Sequence, residues 1–115
     1  MTTNPTVAGG ERFVLEEVSV ASAEVCEAVA SLVPQLSARA VALSPADVEA
    51  MVASDAVHLL LVRDGSTRRV LGMLSLVVFR IPTGVRAWIE DVVVDGAARG
   101  RGRQALDGYI AVVAT

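Results

Sequence analysis

The chain contains no lysine; all ten of its basic residues are arginine. That absence excludes a nucleotide-binding P-loop of the kind that needs a lysine on its phosphates, and otherwise reads as a codon-composition habit of the source. A single cysteine, Cys26, excludes an internal disulfide. Aromatic residues make up only 3% of the chain against 53% apolar residues, so the core must be built from alanine, valine and leucine. No long hydrophobic run is present. The longest, Val70 to Phe79, reaches roughly half the ~20 residues that a membrane-spanning helix needs, so no membrane partner is expected. The opening stretch Met1–Gly10 lacks the apolar segment of a secretory signal. Positive charge is also short, since the formal net charge is −3, which argues against nucleic acid as a partner. One histidine, His58, has no partner at metal-ligand spacing, and no metal is expected. The expectation is a soluble protein of the cytoplasm.

With 115 residues the chain has room for one domain and one core. Residues 1–10 read as a flexible N-terminal tail and residues 11–115 as the domain. Arg12–Val20 suits a first strand, with Phe13, Leu15 and Val18 loosely alternating with charge. Ser22 followed by Glu24 is an N-cap with an acid in the first turn. The set Val25, Ala28, Val29, Leu32 and Val33 has helical spacing up to Pro34, which ends or interrupts the helix. Ser44-Pro45 with Asp47 opens a second helix that runs to about Ser54. The period then changes. Ala56–Val62, Val70–Ile81 and Val85–Val94 are apolar runs separated by Asp64-Gly65 and Pro82-Thr83-Gly84, the pattern of an antiparallel meander. A last helix from about Gly102 places Leu106, Ile110 and Val113 on one face. The predicted order is β-α-α-β-β-β-α, an α/β (α+β layered) fold on a mainly antiparallel sheet.

The most informative segment runs from Val92 to Gln104. A strand ends at Asp95, a glycine loop follows, and Arg99, Arg101 and Arg103 crowd the start of a helix. The N–H groups at a helix start are already partly positive, so each arginine there is unfavourable by about a few tenths of a kcal/mol. An anion among them explains the pattern, and Gly100 and Gly102 clear the way to the backbone. The ligand class is a phosphorylated small molecule. Gly100-x-Gly102-x-x-Ala105 also fits a dinucleotide fingerprint. Against that, the second strand and the acid about twenty residues on do not follow within this sequence.

The element order, together with Ile89-Glu90-Asp91-Val92-Val93-Val94-Asp95 and Arg99-Gly100-Arg101-Gly102, resembles the GNAT superfamily of acyl-CoA-dependent N-acetyltransferases. The resemblance spans roughly Arg12 to Thr115. Arg99 matches the first position of the family's Arg/Gln-x-x-Gly-x-Gly/Ala signature and Gly102 its central glycine. Arg103 stands where an apolar residue is usual, and Gln104 where glycine or alanine is usual. The resemblance implies acetyl-CoA as cosubstrate, with its pyrophosphate on Arg99, Gly100, Arg101, Gly102, Arg103 and Gln104. It also implies that the backbone of Val92, Val93 and Val94 pairs with the pantetheine arm. The C-terminal strands of the family fold are not in this sequence.

The implied reaction moves an acetyl group to a primary amine, on a small molecule or a peptide. An ammonium cannot attack a thioester, so a base is required. Glu90 and, second to it, Asp91 are the candidates. The plainer reading of Glu90 is a pair with Arg86 on the same strand face. Trp88 is either a pocket wall or a core anchor, Cys26 is core, His58 is a strand residue and Tyr109 packs. The alternative function is a non-catalytic CoA-binding or self-associating half-domain. A valine-rich last strand with an open edge also predicts a homodimer.

Overall fold

Three apolar runs joined by tight turns form the centre of the sheet. The structure, a computed structural model, describes residues 3–8 and 11–98. In chain order these form strand β1 (Thr3–Ala8), strand β2 (Glu11–Glu17), helix α1 (Ala23–Leu36), helix α2 (Pro45–Ala53), strands β3 (Val57–Asp64), β4 (Val70–Ile81) and β5 (Gly84–Val94), and a short 3-10 turn at Gly96–Ala98. The five strands lie in sequence order, β1-β2-β3-β4-β5, and every neighbouring pair is antiparallel. The layered, mainly antiparallel α/β architecture expected from the sequence is the one found. The helix expected from Gly102 lies outside the described residues.

One expectation changes. Thr3–Ala8, read as tail, is a strand paired with β2 from Thr3↔Glu16 to Ala8↔Glu11. The physical reason is that β2 would otherwise be an unpaired edge. Its sequence signal was Gly9-Gly10, a glycine pair of the type that closes two-residue hairpins.

Both helices begin as their capping residues dictate. Ser22 Oγ accepts the Val25 N–H at 3.2 Å. Ser44 and Asp47 form a reciprocal capping box, with Ser44 N–H donating to Asp47 Oδ2 (3.0 Å) and Asp47 N–H to Ser44 Oγ (3.1 Å). These bonds hold the Asp47 carboxyl below its ordinary range. Helix α1 passes through Pro34 and ends two residues later, where the Ser37 N–H donates to Val33 C=O at 3.1 Å. Proline removes the bond to the carbonyl four residues back. That residue, Ala30, is exposed, so water can take its place.

The sheet has two apolar faces. Leu59, Leu61, Met73 and Val93 meet Val25, Val29 and Leu32 of α1 and Val48 of α2 on one. The other carries Phe13, Leu15, Leu60, Val62, Leu74, Leu76 and Val94, joined by Ala98. Cys26 packs beside the first cluster, half-buried, as a core-type cysteine. Arg63 is the buried charged residue among the described residues. Its guanidinium donates to Glu16 Oε1 (2.8 Å), to both Glu24 carboxylate oxygens (2.8 and 2.9 Å) and to Arg68 C=O (2.8 Å). It thus staples β2, β3, the N-terminus of α1 and the β3–β4 turn to one another. Two carboxylates on one guanidinium push its pKa up, and the same contact holds the Glu24 carboxyl below its ordinary value.

Candidate functional site

Strand β5 changes character along its length. From Gly84 to Asp91 it is almost wholly exposed, while Val93 and Val94 are buried. The break has a geometric cause. Ser75 pairs with Glu90 and Met73 with Val93, so Asp91 and Val92 together oppose Leu74 alone. This is a β-bulge, and Asp91 supplies the special conformation with φ 55°, a region that aspartate tolerates better than most residues.

The bulge re-aims the side chains. Without it, Glu90, Val92 and Val94 would share a face. With it, Glu90 shares the helix-covered face with Val93, while Ile89, Val92 and Val94 face the other cluster. Glu90 is exposed, and its carboxylate accepts the Trp88 indole N–H. The expected pair with Arg86 is not formed. Arg86 instead donates to Thr83 Oγ1 (3.1 Å) and Val85 C=O (3.2 Å). Trp88 is 57% exposed, so it is no core anchor.

The backbone beyond the bulge is directed by the ladder. Asp95 N–H donates to Leu71 C=O at 2.7 Å, and Val94 stands opposite Gly72. In an antiparallel ladder adjacent residues point their N–H and C=O groups in opposite directions. Val93 therefore bonds toward β4, and Val94 presents both backbone groups to the outer edge. Among the described residues that edge is the end of the sheet.

Past Val94 the chain turns at once. Ala97 N–H donates to Asp95 Oδ1 (2.9 Å), Ala98 N–H to Asp95 C=O (2.8 Å), and Gly96 N–H to Gln35 Oε1 (2.8 Å). Arg99, Gly100, Arg101, Gly102, Arg103 and Gln104 lie outside the described residues, as does Tyr109. His58 sits in β3 with Nδ1 2.7 Å from Glu17 Oε2, a cross-strand partner that the sequence reading did not supply. Cavities of about 130 and 240 Å³ open at the β2–α1 connection, and neither is lined by a β5 residue. Among the described residues no group of three or more His, Cys, Asp or Glu is arranged to hold a metal. No described helix is long and apolar enough to cross a membrane.

No protein-family model matches the sequence, and no curated protein matches it either. Solved structures do. Glucosamine-6-phosphate N-acetyltransferase from Arabidopsis thaliana superposes with a TM-score of 0.65 at 17% identity, over 87% of this chain and 73% of that one. The chain has the GNAT fold. A Trypanosoma brucei acetyltransferase shares it with a TM-score of 0.59 at 24% identity, over 83% of this chain and 70% of the other. A Bacillus halodurans protein, crystallised as a point mutant, follows at 0.51 and 23%, over 85% and 73%. Of the candidate residues set by the sequence, Glu90, Asp91, Val92, Val93 and Val94 lie on β5.

Proposed function

We propose that the chain is an acyl-CoA-dependent N-acetyltransferase acting on a primary amine. The observation that carries the reading is β5. One strand holds an exposed carboxylate, Glu90, a bulge at Asp91–Val92, and an outward-directed backbone at Val94, and the arginine–glycine segment follows it directly. Two of the structural neighbours named above are acetyltransferases, which supports the same chemistry.

The residues divide the work in chain order. Val94 offers its N–H and C=O to an extended amide-bearing arm, which would lie along the edge of β5 as an added strand does. Val92 and Val93 set the height of that arm through the bulge. The loop Arg99–Gln104 holds the pyrophosphate with backbone amides and guanidinium groups, which give charge-assisted contacts. Coenzyme A, when bound, supplies an activated acetyl thioester. Glu90 accepts a proton from the ammonium of the acceptor, the freed amine attacks the thioester carbonyl, the C–S bond breaks, and coenzyme A leaves as a thiolate that takes up the proton lost by the new amide nitrogen. Asp91 is a second candidate base, but its main contribution is to hold the bulge. The acceptor is a small molecule or a peptide amine, and the chain works in the cytoplasm as a homodimer paired through the exposed part of β5 around Trp88, which leaves the edge at Val94 to the arm.

The test is a thermal-shift titration with acetyl-CoA, followed by an assay of released CoA thiol over a panel of amines. Stabilisation by acetyl-CoA with amine-dependent thiol release supports the enzyme. Stabilisation with no release from any amine points to a CoA-binding module instead, an alternative that the atypical Arg103 and Gln104 keep in play.

A further inference from the structure

Aromatic residues are scarce in this chain, with one tryptophan, one tyrosine and two phenylalanines. Phe13 is core. Phe79 and Trp88 instead lie on the face of the sheet that carries Glu90. Glu90 stands opposite Ser75, Trp88 opposite Val77 and Arg86 opposite Phe79, and alternate residues of a strand share a face. The core cluster under α1 and α2 reaches Met73 and Val93 on that face. Val77, Phe79, Ile81 and Trp88 belong to neither core cluster. Val77 and Phe79 are half-buried, Ile81 is 38% exposed and Trp88 57%. The four form an apolar shelf from the Ser75–Glu90 pair out to the β4–β5 turn. Large apolar groups grouped in water in this way mark a binding surface.

The shelf has a charge at each end. At the inner end is the Glu90 carboxylate, which accepts the Trp88 indole N–H. Toward the turn lies Arg86. Its guanidinium donates to Thr83 Oγ1 at 3.1 Å and to Val85 C=O at 3.2 Å. Both acceptors are uncharged, and among the described residues no carboxylate pairs with Arg86. These two bonds draw the guanidinium toward the turn and leave it donors to spare. Glu90 and Arg86 are separated by about 13 Å along the strand. That span exceeds a single amino acid and suits an extended peptide of about four residues.

We propose that this shelf binds the acceptor, and that the acceptor is the N-terminus of a peptide. Its α-amine meets Glu90, and its apolar side chains lie on Trp88, Phe79 and Ile81. An acidic side chain at about the fourth residue meets Arg86 in a charge-assisted contact. The peptide enters from the turn end of β5 and the arm of coenzyme A from the Val94 end, so the two meet at the bulge. Pairing of two copies along the β5 edge adds a strand beside the sheet and leaves this face open. Placing the amine here rests on the reading of Glu90 as the base.

Trp88 is the sole tryptophan, so its fluorescence reports occupancy of the shelf directly. The probes are the C-terminally amidated tetrapeptides Ala-Phe-Val-Glu, Ala-Phe-Val-Gln and Ala-Ser-Gly-Glu. They are titrated in the presence of CoA, which carries no acetyl group to transfer. Ala-Phe-Val-Glu should shift the emission saturably and bind roughly tenfold more tightly than either of the others, which lack the charged contact or the apolar body. Arg86→Gln should erase the preference for Ala-Phe-Val-Glu over Ala-Phe-Val-Gln while binding the latter within about twofold of the parent. A merely structural role of Arg86 would weaken both peptides alike. Equal affinity for all three peptides overturns the proposal. Thiol release from small amines, with no shift of Trp88 emission by any peptide, overturns it too and leaves the acetyltransferase reading standing. Selective binding of Ala-Phe-Val-Glu without thiol release from any amine keeps the peptide surface and overturns that reading.

Discussion

Glu90 and Val93 share one face of β5 although they stand three positions apart in sequence, because Asp91 and Val92 both stand opposite Leu74. A regular strand would have turned Glu90 and Val93 to opposite faces. The bulge sets a candidate base on the helix side of the sheet just before the strand becomes buried. It also turns the Val94 backbone to the open edge.

That relationship makes Glu90 testable by pH. Glu90→Gln preserves shape and the bond from Trp88 but removes the base. Acetyl transfer should fall by about 10²-fold at a pH where the acceptor is mostly ammonium. The loss should shrink as pH rises and free amine accumulates. An unchanged rate across the whole pH range would leave Glu90 with a structural role only.

Asp91 should be tolerant of glycine and intolerant of branching. At φ 55° a β-branched side chain is strained, so Asp91→Val should lose about 1–2 kcal/mol in urea unfolding. Asp91→Gly should be near neutral, since glycine adopts that region freely. If Asp91→Val unfolds at the same urea concentration as the parent, the bulge is not held in this conformation.

The buried guanidinium gives a stability prediction with a defined pH window. Arg63→Met breaks its bonds to Glu16, Glu24 and Arg68 C=O. The cost should be about 3 kcal/mol, at the low end for buried pairs because Glu24 stays largely in water. Glu24 is held below the ordinary carboxyl value of 4.5 mainly by its hydrogen bonds from Arg63. A carboxylate whose pKa is lower in the folded state adds stability above its unfolded pKa and loses it as pH falls through the folded one. The parent should therefore lose stability on acidification below pH 4.5, and Arg63→Met should show less of that loss. Parallel acid profiles of the two proteins would contradict the assignment.

Much of the fold was legible because its signals were local. Ser22, Ser44, Pro45 and Asp47 mark the starts of the two helices, and β4 runs over Val70–Ile81, the limits read from the sequence. β1 was missed because Thr3–Ala8 has little hydrophobic alternation and exists as a strand by pairing with β2. The bulge was not legible because Val92, Val93 and Val94 are identical residues, so either register gives the same pattern. The bonds of Arg63 to Glu16 and Glu24, and the bonds Glu17–His58 and Gln35–Gly96, join residues 39 to 61 positions apart. Nothing in a single sequence pairs such residues. The candidate residues Glu90 to Val94 could be read from the sequence because they form one continuous segment, whereas the bond from the Trp88 indole N–H to the Glu90 carboxylate was not anticipated.

The outer edge of β5 should support self-association. A two-fold pairing of β5 with its copy, centred on Trp88, sets Arg86 opposite the partner's Glu90 on one face, twice over. Cross-strand pairs of opposite charge stabilise such ladders, and the exposed Val85 and Trp88 would be covered. Light scattering across a dilution series should find a dimer, and Trp88→Asp should give a monomer by placing two carboxylates face to face. A parent that remains monomeric at high micromolar concentration rules this pairing out.

The central claim is that the segment behind β5 binds coenzyme A for acetyl transfer, and Gly102→Asp tests it most directly. Calorimetry with CoA at moderate salt should give clear binding by the parent, weakening as salt rises because the contacts are ionic. Gly102→Asp places a carboxylate where the pyrophosphate is expected and should abolish binding while leaving the thermal midpoint of the free protein near that of the parent. Equal binding of CoA by Gly102→Asp and the parent would contradict the account and move the site away from residues 99–104.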